Sequence, residues 1–352
     1  MNKYDKFEDY AKRKPIRQSR SSKRVLVKKK GKIPAGAVEG QIVGLIGKYS
    51  IIKPLKVPFT EDNLFTCFPA GTVISGNKNS SFLATGDYVS FIPKDEIELE
   101  TGLREGTLVA VEERKTKISR KLPGKKRSED VIASNLDKLL VVMSASEPSY
   151  NKRLIDRYLI AAELGGVEPA ICINKIDLLD DLIAINEDLA VYNELDIPVF
   201  FISATENEGI EELREFLRAE TTLFSGLSGV GKSTLVNQLL GREEQPVKKI
   251  SDKTMKGKHM TTSVRMFELS DFTRIIDSPG IREFGIWGIE PEELGLYFHD
   301  FDDHQIECKF SPCTHTHEPK CKVIEAVEDG EIDIDRYESY LNLLESLPKE
   351  KY

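Results

Sequence analysis

The sequence contains no apolar run that approaches the roughly 20 residues needed to span a bilayer. No apolar segment follows the charged residues at its start, so we do not expect a secretory signal peptide. Only five of the 352 residues are cysteines, and three of these lie between positions 308 and 321. This scarcity argues against a disulfide framework and favours a metal site, so we predict a cytoplasmic protein without a membrane partner.

Acidic residues are scarce in the first 32 positions, which hold 13 Lys or Arg against 3 Asp or Glu. The rest of the chain holds 37 basic and 55 acidic residues, and the net charge of the whole is -8. A cationic arm on an acidic body favours a polyanionic partner, although such a terminus can also be merely solvated. We predict a basic flexible arm over residues 1–35 that contacts RNA.

Helical periodicity is almost absent between about Ala37 and Lys117, where short β-rich runs are separated by Gly, Asn and Asp. The clearest runs are Gln41–Ile46, Tyr49–Ile52, Asp87–Phe91 and Thr107–Val111. This texture predicts a small barrel, and an oligonucleotide-binding (OB) barrel or an SH3-like barrel fits it. Residues 114–127 contain eight basic and no acidic residues, which indicates a linker leaving the barrel. This linker can be merely solvated or can form a second cationic strip for RNA.

Strands and helices alternate from Leu139 onward. The predicted strands are Leu139–Met143, Ala170–Ile173, Val199–Ile202, Thr222–Ser225 and Thr273–Ile276, and the predicted helices are Lys152–Leu164, Gly209–Arg218 and Ser233–Leu240. Alternation of this kind predicts a doubly wound, mainly parallel sheet, which binds ligands where its strands end. After about Phe284 the sequence becomes polar and helical, with a last predicted helix over Arg336–Leu347.

A phosphate-binding pattern, G-x-x-x-x-G-K-[ST], lies between a predicted strand and a predicted helix. Backbone N–H groups in such a loop, together with the helix N-terminus, favour phosphate oxygens. We expect Lys232 to neutralise the β- and γ-phosphates and the hydroxyl of Ser233 to bind Mg²⁺. The predicted loop comprises Gly226, Leu227, Ser228, Gly229, Val230, Gly231, Lys232 and Ser233, followed by Thr234.

An N-K-x-D motif follows the predicted strand Ala170–Ile173. A carboxylate at its last position can accept hydrogen bonds from N1–H and the exocyclic amino group of guanine, a donor pair that adenine lacks. We therefore predict that Asp177 selects guanine, that Asn174 holds the loop and that Lys175 lies along the base. The backbone of Ser203 or Ala204 is expected to donate to guanine O6. The predicted base site comprises Asn174, Lys175, Ile176, Asp177, Ser203 and Ala204.

A D-x-x-G motif runs from Asp277 to Gly280 after another predicted strand. We expect the carboxylate of Asp277 to hold the Mg²⁺ sphere and the N–H of Gly280 to meet the γ-phosphate. Between this motif and the phosphate loop lies a segment at the right separation for a γ-phosphate sensor, in which either Thr261 or Thr262 completes the metal shell.

Many GTPases have a water-orienting Gln directly after D-x-x-G, but this chain has Ile281, whose side chain cannot hydrogen-bond. Another group must then position the attacking water, and His259 is the nearest candidate. A structural histidine in a loop is the alternative. We predict slow intrinsic hydrolysis that a partner accelerates, because groups supplied in trans are worth about 10³–10⁵-fold in other GTPases.

The order of the motifs is unusual, because the guanine-reading motifs at 174 and 203 precede the phosphate loop at 226 and the D-x-x-G at 277. Domain termini lie at the surface, so the same sheet can form from a circularly permuted chain. The segment after D-x-x-G leads directly into the C-terminal part. Ordering of the switch loops by the γ-phosphate is therefore expected to move that part relative to the barrel.

Four soft or borderline metal ligands lie within 14 residues, in the pattern C-x₄-C-x-H-x₅-C. Three Cys and one His form a common closed tetrahedral zinc set, which indicates a structural ion. Either His315 or His317 can supply the nitrogen, and free thiols are the alternative. The three sulfur ligands are Cys308, Cys313 and Cys321.

Taken together, these motifs resemble the ribosome small-subunit-dependent GTPase A family, the RsgA/YjeQ group, over roughly residues 36–345. The resemblance rests on the motif order and the Cys/His spacing, with the matching segments Asn174–Asp177, Ser228–Ser233, Gly257–Thr262, Asp277–Phe284 and Arg336–Tyr340. Met260 is a departure, because the family usually has a third Thr at this position. The long basic arm is not carried over from the family.

The resemblance implies a multidomain fold with an N-terminal OB-type barrel, a circularly permuted P-loop G domain and a helical zinc-binding C-terminal domain. We accordingly divide the chain into an arm (1–35), a barrel (36–117), a G domain (118–285) and a zinc domain (286–352). The family's zinc ligands would fall on Cys308, Cys313, His315 and Cys321, and its catalytic histidine on His259.

The resemblance also implies late maturation of the small ribosomal subunit, ribosomal RNA binding, and hydrolysis of GTP to GDP that the subunit stimulates. We expect a monomer that uses Mg²⁺ with GTP and one structural zinc ion. The alternatives are a permuted GTPase acting on another ribonucleoprotein, such as the large subunit, and a binding module whose nucleotide is structural. The intact motifs at 174, 226 and 277 weigh against a binding module.

Overall fold

The computed structural model describes residues 33–74, 81–121, 129–241, 264–270, 272–278 and 285–347. Most of the predicted arm lies outside the described residues, as do His259, Thr261, Thr262 and Gly280. Helices within the described ranges are too short or too polar to cross a bilayer.

Five strands close the N-terminal barrel: β1 (Val38–Ile46), β2 (Tyr49–Pro54), β3 (Phe65–Ile74), β4 (Tyr88–Ile97) and β5 (Arg104–Val111). They follow the order β1-β2-β3-β5-β4, and β4 returns to pair with β1. Strands β3 and β5 run parallel, whereas the other neighbours are antiparallel. The predicted barrel is confirmed, and its closed five-stranded arrangement is that of an OB fold.

Side chains from alternate positions fill the barrel, because successive residues of a strand point to opposite faces. Its core contains Ile42, Ile52, Phe65, Cys67, Val89, Phe91 and Leu108. At Gly106 the core approaches the backbone closely, since a Cβ there would lie 2.6 Å from Sγ of Cys67.

The predicted basic linker is wrong for residues 114–121, which are ordered and in which Arg114, Lys117 and Arg120 pair with acidic side chains. Strand β6 (Lys117–Lys121) forms an antiparallel hairpin with β7 (Glu129–Ser134). Arg114 Nε lies 2.6 Å from Asp87 Oδ1, and both side chains are almost inaccessible. The hairpin also pairs Arg120 Nε with Asp130 Oδ2 at 2.9 Å. Opposite charges supplied from distant strands therefore neutralise much of this strip, and the predicted boundary at 117/118 falls inside β6.

The central domain contains a six-stranded sheet in the order β10-β9-β8-β11-β13-β12. Its strands are β8 (Lys138–Ser144), β9 (Glu168–Asn174), β10 (Val199–Phe201), β11 (Thr221–Ser225), β12 (Arg265–Ser270) and β13 (Thr273–Asp277). All neighbours are parallel except β12 and β13. The predicted doubly wound sheet is confirmed.

Helices cover both faces of this sheet: α1 (Lys152–Gly165), α2 (Ile183–Asp188), α3 (Ala190–Glu194), α4 (Ile210–Phe216) and α5 (Lys232–Leu240). Alternate residues of β8 divide between the two resulting cores, with Leu139 and Val141 on one side and Leu140 and Val142 on the other. Such continuous apolar runs are expected for parallel strands that are buried on both faces.

The C-terminal unit, defined here as residues 286–347, is helical. It contains 3₁₀ helices at Pro291–Tyr297 and His299–Phe301, followed by α6 (Asp302–Gln305), α7 (Lys322–Glu328) and α8 (Ile334–Ser346). Its core is aromatic, with Phe298, Phe301 and Tyr340 fully buried. The last predicted helix is confirmed, and the Asp333 carboxylate caps it by accepting the N–H of Arg336 at 2.9 Å.

Candidate functional site

The predicted phosphate loop connects strand β11 to helix α5, where the sheet ends. Gly226, Gly229 and Gly231 all have positive φ, of 155°, 90° and 88°. A Cβ on Gly226 would lie 2.0 Å from the carbonyl oxygen of Val142, and one on Gly231 would lie 2.3 Å from Asn174 Nδ2. Only glycine fits at these two positions, because both the backbone angles and the space exclude a side chain.

The ammonium group of Lys232 lies over this loop. Its Nζ donates to the carbonyl oxygens of Gly226 at 3.0 Å and Leu227 at 3.3 Å. Burial lowers the pKa of Lys232, and the nearby Asp277 carboxylate opposes that shift. Ser233 and Thr234 follow it at the exposed start of α5. The loop therefore presents a positive charge and a helix N-terminus at one place, as anion binding requires.

Asp277 stands at the end of β13, beside the loop. Burial raises its pKa to about 6, although Lys232 and Arg265 act in the opposite direction. Its Oδ1 is buried and has no hydrogen-bond partner among the residues that the structure describes. Burying an unpartnered carboxylate oxygen is costly, and hard cations prefer such oxygen ligands. The donor set of Asp277 and the Ser233 hydroxyl therefore fits Mg²⁺.

Asn174 ties the predicted guanine motif to the phosphate loop. Its side chain is buried, and Nδ2 donates to the carbonyl oxygen of Val230 at 3.0 Å. On its other side, Asn174 Oδ1 accepts the N–H of Ala204 at 3.1 Å. One amide thus joins three segments that are separated by 30 and 56 positions in the chain. The structure brings them to one site, in accord with the permuted order.

Asp177 lies in the short 3₁₀ helix Ile176–Leu178 that follows this amide. Its Oδ1 accepts the hydroxyl of Ser203 at 2.6 Å, which fixes the orientation of the carboxylate. Lys175 adopts a positive φ of 65°, and its Nζ donates to the carbonyl oxygen of Glu147 at 2.7 Å. Sequence reasoning missed this contact with Glu147, because nothing in the local pattern marks a backbone carbonyl 28 positions away.

The backbone donors expected for guanine O6 already have acceptors in this structure. Ser203 N–H donates to the carbonyl oxygen of Glu208 at 3.1 Å. The N–H of Ala204 is engaged by Asn174 Oδ1. The sequence alone predicted that one of these N–H groups donates to guanine O6, because local patterns do not reveal the acceptors at Glu208 and Asn174.

Three buried hydroxyl groups beside the site were also missed. Ser278 follows Asp277, and its Oγ donates to the carbonyl oxygen of Phe224 at 2.9 Å. It also lies 3.3 Å from Ser225 Oγ, which in turn donates to the Tyr158 hydroxyl at 3.1 Å. The second position of D-x-x-G was the only signal in the sequence that could have drawn attention to Ser278.

The Cys/His cluster in the C-terminal unit has the dimensions of a metal site. The ligand atoms of Cys308, Cys313, His315 and Cys321 all lie within 4.8 Å of one another. Cys321 Sγ lies 3.8 Å from both other sulfurs and 3.3 Å from His315 Nδ1. Tetrahedral coordination at Zn–S distances near 2.3 Å separates two sulfurs by about 3.8 Å. These residues therefore fit zinc, and such a site has no open position.

Only one of the two candidate histidines belongs to this cluster. His315 is buried, has a positive φ of 52°, and places its Nδ1 3.3 Å from Cys321 Sγ. His317 is exposed, and its Nδ1 lies 2.7 Å from Thr316 Oγ1. Helix α8 holds the loop, because the Tyr337 hydroxyl donates to His315 O at 2.7 Å and the Tyr340 hydroxyl to Thr314 O at 2.6 Å.

Known sequences are similar to most of this chain. A family model described as RsgA GTPase matches residues 111–287. A small ribosomal subunit biogenesis GTPase RsgA of Chlorobaculum parvum is 47% identical over 285 residues, which cover 80% of this chain and 90% of that protein. A protein of the same name from Flavobacterium psychrophilum is 36% identical over 302 residues, covering 85% of this chain and 90% of its own.

Two solved structures are similar over nearly the whole of their own chains. YjeQ from Thermotoga maritima has a TM-score of 0.62 at 29% identity, covering 88% of this chain and 98% of that chain. YloQ, a circularly permuted GTPase, has a TM-score of 0.62 at 25% identity, covering 92% of this chain and 100% of that chain. The architecture of barrel, permuted sheet and helical unit is therefore shared with these proteins.

Proposed function

Because this chain belongs to the RsgA GTPase family of GTP-hydrolysing enzymes, we propose that it acts in the late maturation of the small ribosomal subunit. In this proposal it binds GTP, hydrolyses it to GDP and phosphate, and is stimulated by the subunit. Ribosomal RNA is the proposed contact of the barrel and the basic arm. The enzyme is proposed to work in the cytoplasm as a monomer.

One observation carries the nucleotide part of the proposal: the Asn174 side chain bonds the phosphate loop at Val230 and the Ser203-Ala204 segment at once. Asp177 follows Asn174 closely in the chain and Lys232 follows Val230, so these bonds support the proposal that one nucleotide contacts both residues. We assign Asp177 to the guanine edge and Lys232 to the β- and γ-phosphates. Exchange of either residue should then affect the same ligand.

The hydrolytic step requires a cation, for which Asp277 and the Ser233 hydroxyl are the proposed ligands. Bound Mg²⁺ neutralises charge that develops on the phosphate oxygens. We also propose that Gly280 and either Thr261 or Thr262 close over the γ-phosphate. His259 is proposed to position the water, because Ile281 lacks a hydrogen-bonding side chain.

The barrel carries exposed cations that can bind an RNA phosphate backbone. Exposed Lys48 places its Nζ 5.0 Å from the ring centre of Tyr49, and the Arg104 guanidinium lies 4.4 Å from that of Phe65. Both rings are buried, so the proposed RNA contact rests on the charges of Lys48 and Arg104 and not on base stacking. The C-terminal cluster is proposed to hold one structural zinc ion, which stabilises a small helical unit.

The proposal is tested by measuring GTP hydrolysis with and without purified small subunits. We expect stimulation by small subunits, loss of nucleotide binding in Lys232→Ala, and loss of stimulated turnover with binding retained in His259→Ala. His304→Ala is the matched control for the second variant, since His304 lies at Glu331 in the C-terminal unit, and its turnover should match the parent.

Two results would contradict the proposal. Stimulation by large subunits alone would assign the enzyme to a different particle. Fast turnover by the isolated protein, unchanged by either subunit, would show that it needs no ribosomal partner.

A further inference from the structure

A chain of three buried hydroxyl groups lies beneath the nucleotide site and is not used by the proposed chemistry. Tyr158 of α1, Ser225 of β11 and Ser278 are each fully inaccessible to solvent. Ser225 Oγ donates to the Tyr158 hydroxyl at 3.1 Å, and Ser278 Oγ lies 3.3 Å from Ser225 Oγ. Buried hydroxyls are costly without partners, so Ser225 depends on the Tyr158 oxygen as its acceptor, while Ser278 also donates to the carbonyl oxygen of Phe224.

Each of the two serines is the sequence neighbour of a residue of the candidate nucleotide site. Ser225 immediately precedes Gly226, the first residue of the phosphate loop. Ser278 immediately follows Asp277, the proposed cation ligand, and anchors this turn to the carbonyl oxygen of Phe224 at 2.9 Å. If either hydroxyl changes direction, the backbone beside it is disturbed. At Ser225 that backbone leads into the phosphate loop, and at Ser278 it is joined to Asp277.

Tyr158 is the only one of the three groups that reaches the site from a helix. Two residues earlier on α1, Asp156 binds Arg336 of the C-terminal unit. The Tyr158 hydroxyl thus connects the two serines to α1, the helix whose Asp156 binds the C-terminal unit. Without this oxygen, the buried Ser225 hydroxyl would lose its acceptor at 3.1 Å, and Ser278 Oγ, 3.3 Å away, would lie beside an unpaired hydroxyl.

We propose that Tyr158 is a positioning residue of the GTPase site, whose hydroxyl holds Ser225 and Ser278 so that Asp277 keeps its orientation toward Mg²⁺. This inference rests on the proposed function, because it concerns the same nucleotide site. Tyr158 touches neither nucleotide nor metal in this account. Its effect is on how strongly the cation and nucleotide bind together.

The test is the affinity for fluorescent GDP measured as a function of Mg²⁺ concentration in the full-length protein. Tyr158→Phe removes only the hydroxyl, and we expect the half-saturating Mg²⁺ concentration to rise about three- to tenfold, as the loss of one buried hydrogen bond permits. Ser225→Ala removes the same bond from its donor side and should shift the Mg²⁺ response in the same direction. Ser278→Ala should add less in the Tyr158→Phe background than in the parent.

Tyr192→Phe is the matched control. This buried tyrosine also loses one hydroxyl, which donates to Asp156 at 2.9 Å and not to the site. Its Mg²⁺ response should equal that of the parent. A parent-like response in both Tyr158→Phe and Ser225→Ala, or an equal shift in Tyr192→Phe, would overturn the inference. A parent protein that fails to bind GDP with Mg²⁺ would instead overturn the proposed function.

Discussion

The central domain contacts the barrel and the C-terminal unit through two different kinds of interface, called here the barrel seam and the C-terminal seam. At the barrel seam, β1 pairs with β12 where Gly44 lies opposite Arg265, and Thr85 Oγ1 donates to the carbonyl oxygen of Val264 at 3.1 Å. At the C-terminal seam, the buried Arg336 guanidinium binds Asp156 of α1 and Asp300 of its own unit. The first seam continues a sheet through backbone pairing, whereas the second rests on side chains, namely this buried ion pair and Ile160 of α1, which packs in the C-terminal core.

The two seams also differ in how they are connected to the candidate nucleotide site. Arg265 lies opposite Asp277 in the β12–β13 ladder as well as opposite Gly44, so the barrel is two strands from the proposed cation ligand. The C-terminal seam lies on α1 and reaches the site only through side chains. Backbone pairing tolerates side-chain changes, while a buried charge does not. Single substitutions should therefore damage the C-terminal seam far more than the barrel seam.

The largest effect is expected where the proposed zinc supports the C-terminal seam. His315→Ala should abolish zinc binding and unfold the C-terminal unit, because structural zinc sites contribute about 10 kcal/mol or more in small peptides. Zinc content and near-ultraviolet circular dichroism measure this. His317→Ala is the control and should retain both. Loss of zinc in His317→Ala with retention in His315→Ala would reverse the ligand assignment.

Removing the charge at the C-terminal seam comes next. Burial raises the pKa of Asp156, and the Arg336 cation opposes that shift. Arg336→Met leaves Asp156 buried without its partner, so the free energy of unfolding should fall by about 3–5 kcal/mol. Urea denaturation measures the loss. Arg153→Met, which breaks a half-exposed pair with Glu338, should cost about 0–1 kcal/mol. Equal losses would refute the distinction between buried and exposed pairs.

The barrel seam should respond less. Thr85→Val removes the hydroxyl that donates to Val264 but leaves the β1–β12 pairing intact, so a loss of about 1 kcal/mol is expected. Denaturation curves of parent and variant give this value. Thr60→Val, in an exposed turn of the barrel, serves as control and should be close to neutral. A loss at Thr85 as large as that at Arg336 would mean that both seams depend on side chains.

The smallest effect concerns pH at the C-terminal seam. Hydrogen bonds to Asp302 and Glu163 raise the pKa of His299 to about 10 from an ordinary value of 6.5. Since the folded pKa is the higher one, the stabilisation is present below pH 6.5 and is lost as pH rises toward 10. The ring is half-exposed, so less than about 1 kcal/mol is at stake.

The difference in unfolding free energy between the parent and His299→Gln measures this contribution. It should shrink as pH rises through that window. A difference that grows with pH would have the wrong sign for a protonated His299 bridging the seam.

Local patterns predicted much of the fold and the candidate site. Apolar runs such as Leu139–Met143 identify strands buried on both faces, and glycine spacing places the phosphate loop between β11 and α5. These signals are readable because they depend on neighbours in the sequence. The same holds for the last helix and for the Cys/His spacing.

Contacts between segments that are distant in the sequence could not be predicted from such local patterns. Strands β3 and β12 were not predicted; β12 forms a hairpin with its neighbour β13, but its pairing with β1 and the pairing of β3 with β5 join distant segments. Arg114 was predicted to belong to a basic linker, but Asp87, 27 positions away, binds it in the interior. The acceptors of the Ala204 and Ser203 N–H groups were hidden for the same reason.

The central claim is that Asp177 and Lys232 bind opposite ends of one guanosine triphosphate. Titration of Asp177→Asn with GTP and xanthosine triphosphate tests it most directly, because an amide at this position can donate to the extra base oxygen of xanthine. We predict that GTP affinity falls at least about tenfold and that xanthosine triphosphate becomes the preferred ligand, with Lys232→Ala abolishing the binding of both. Unchanged GTP affinity in Asp177→Asn, or equal binding of ATP and GTP by the parent, would contradict the account.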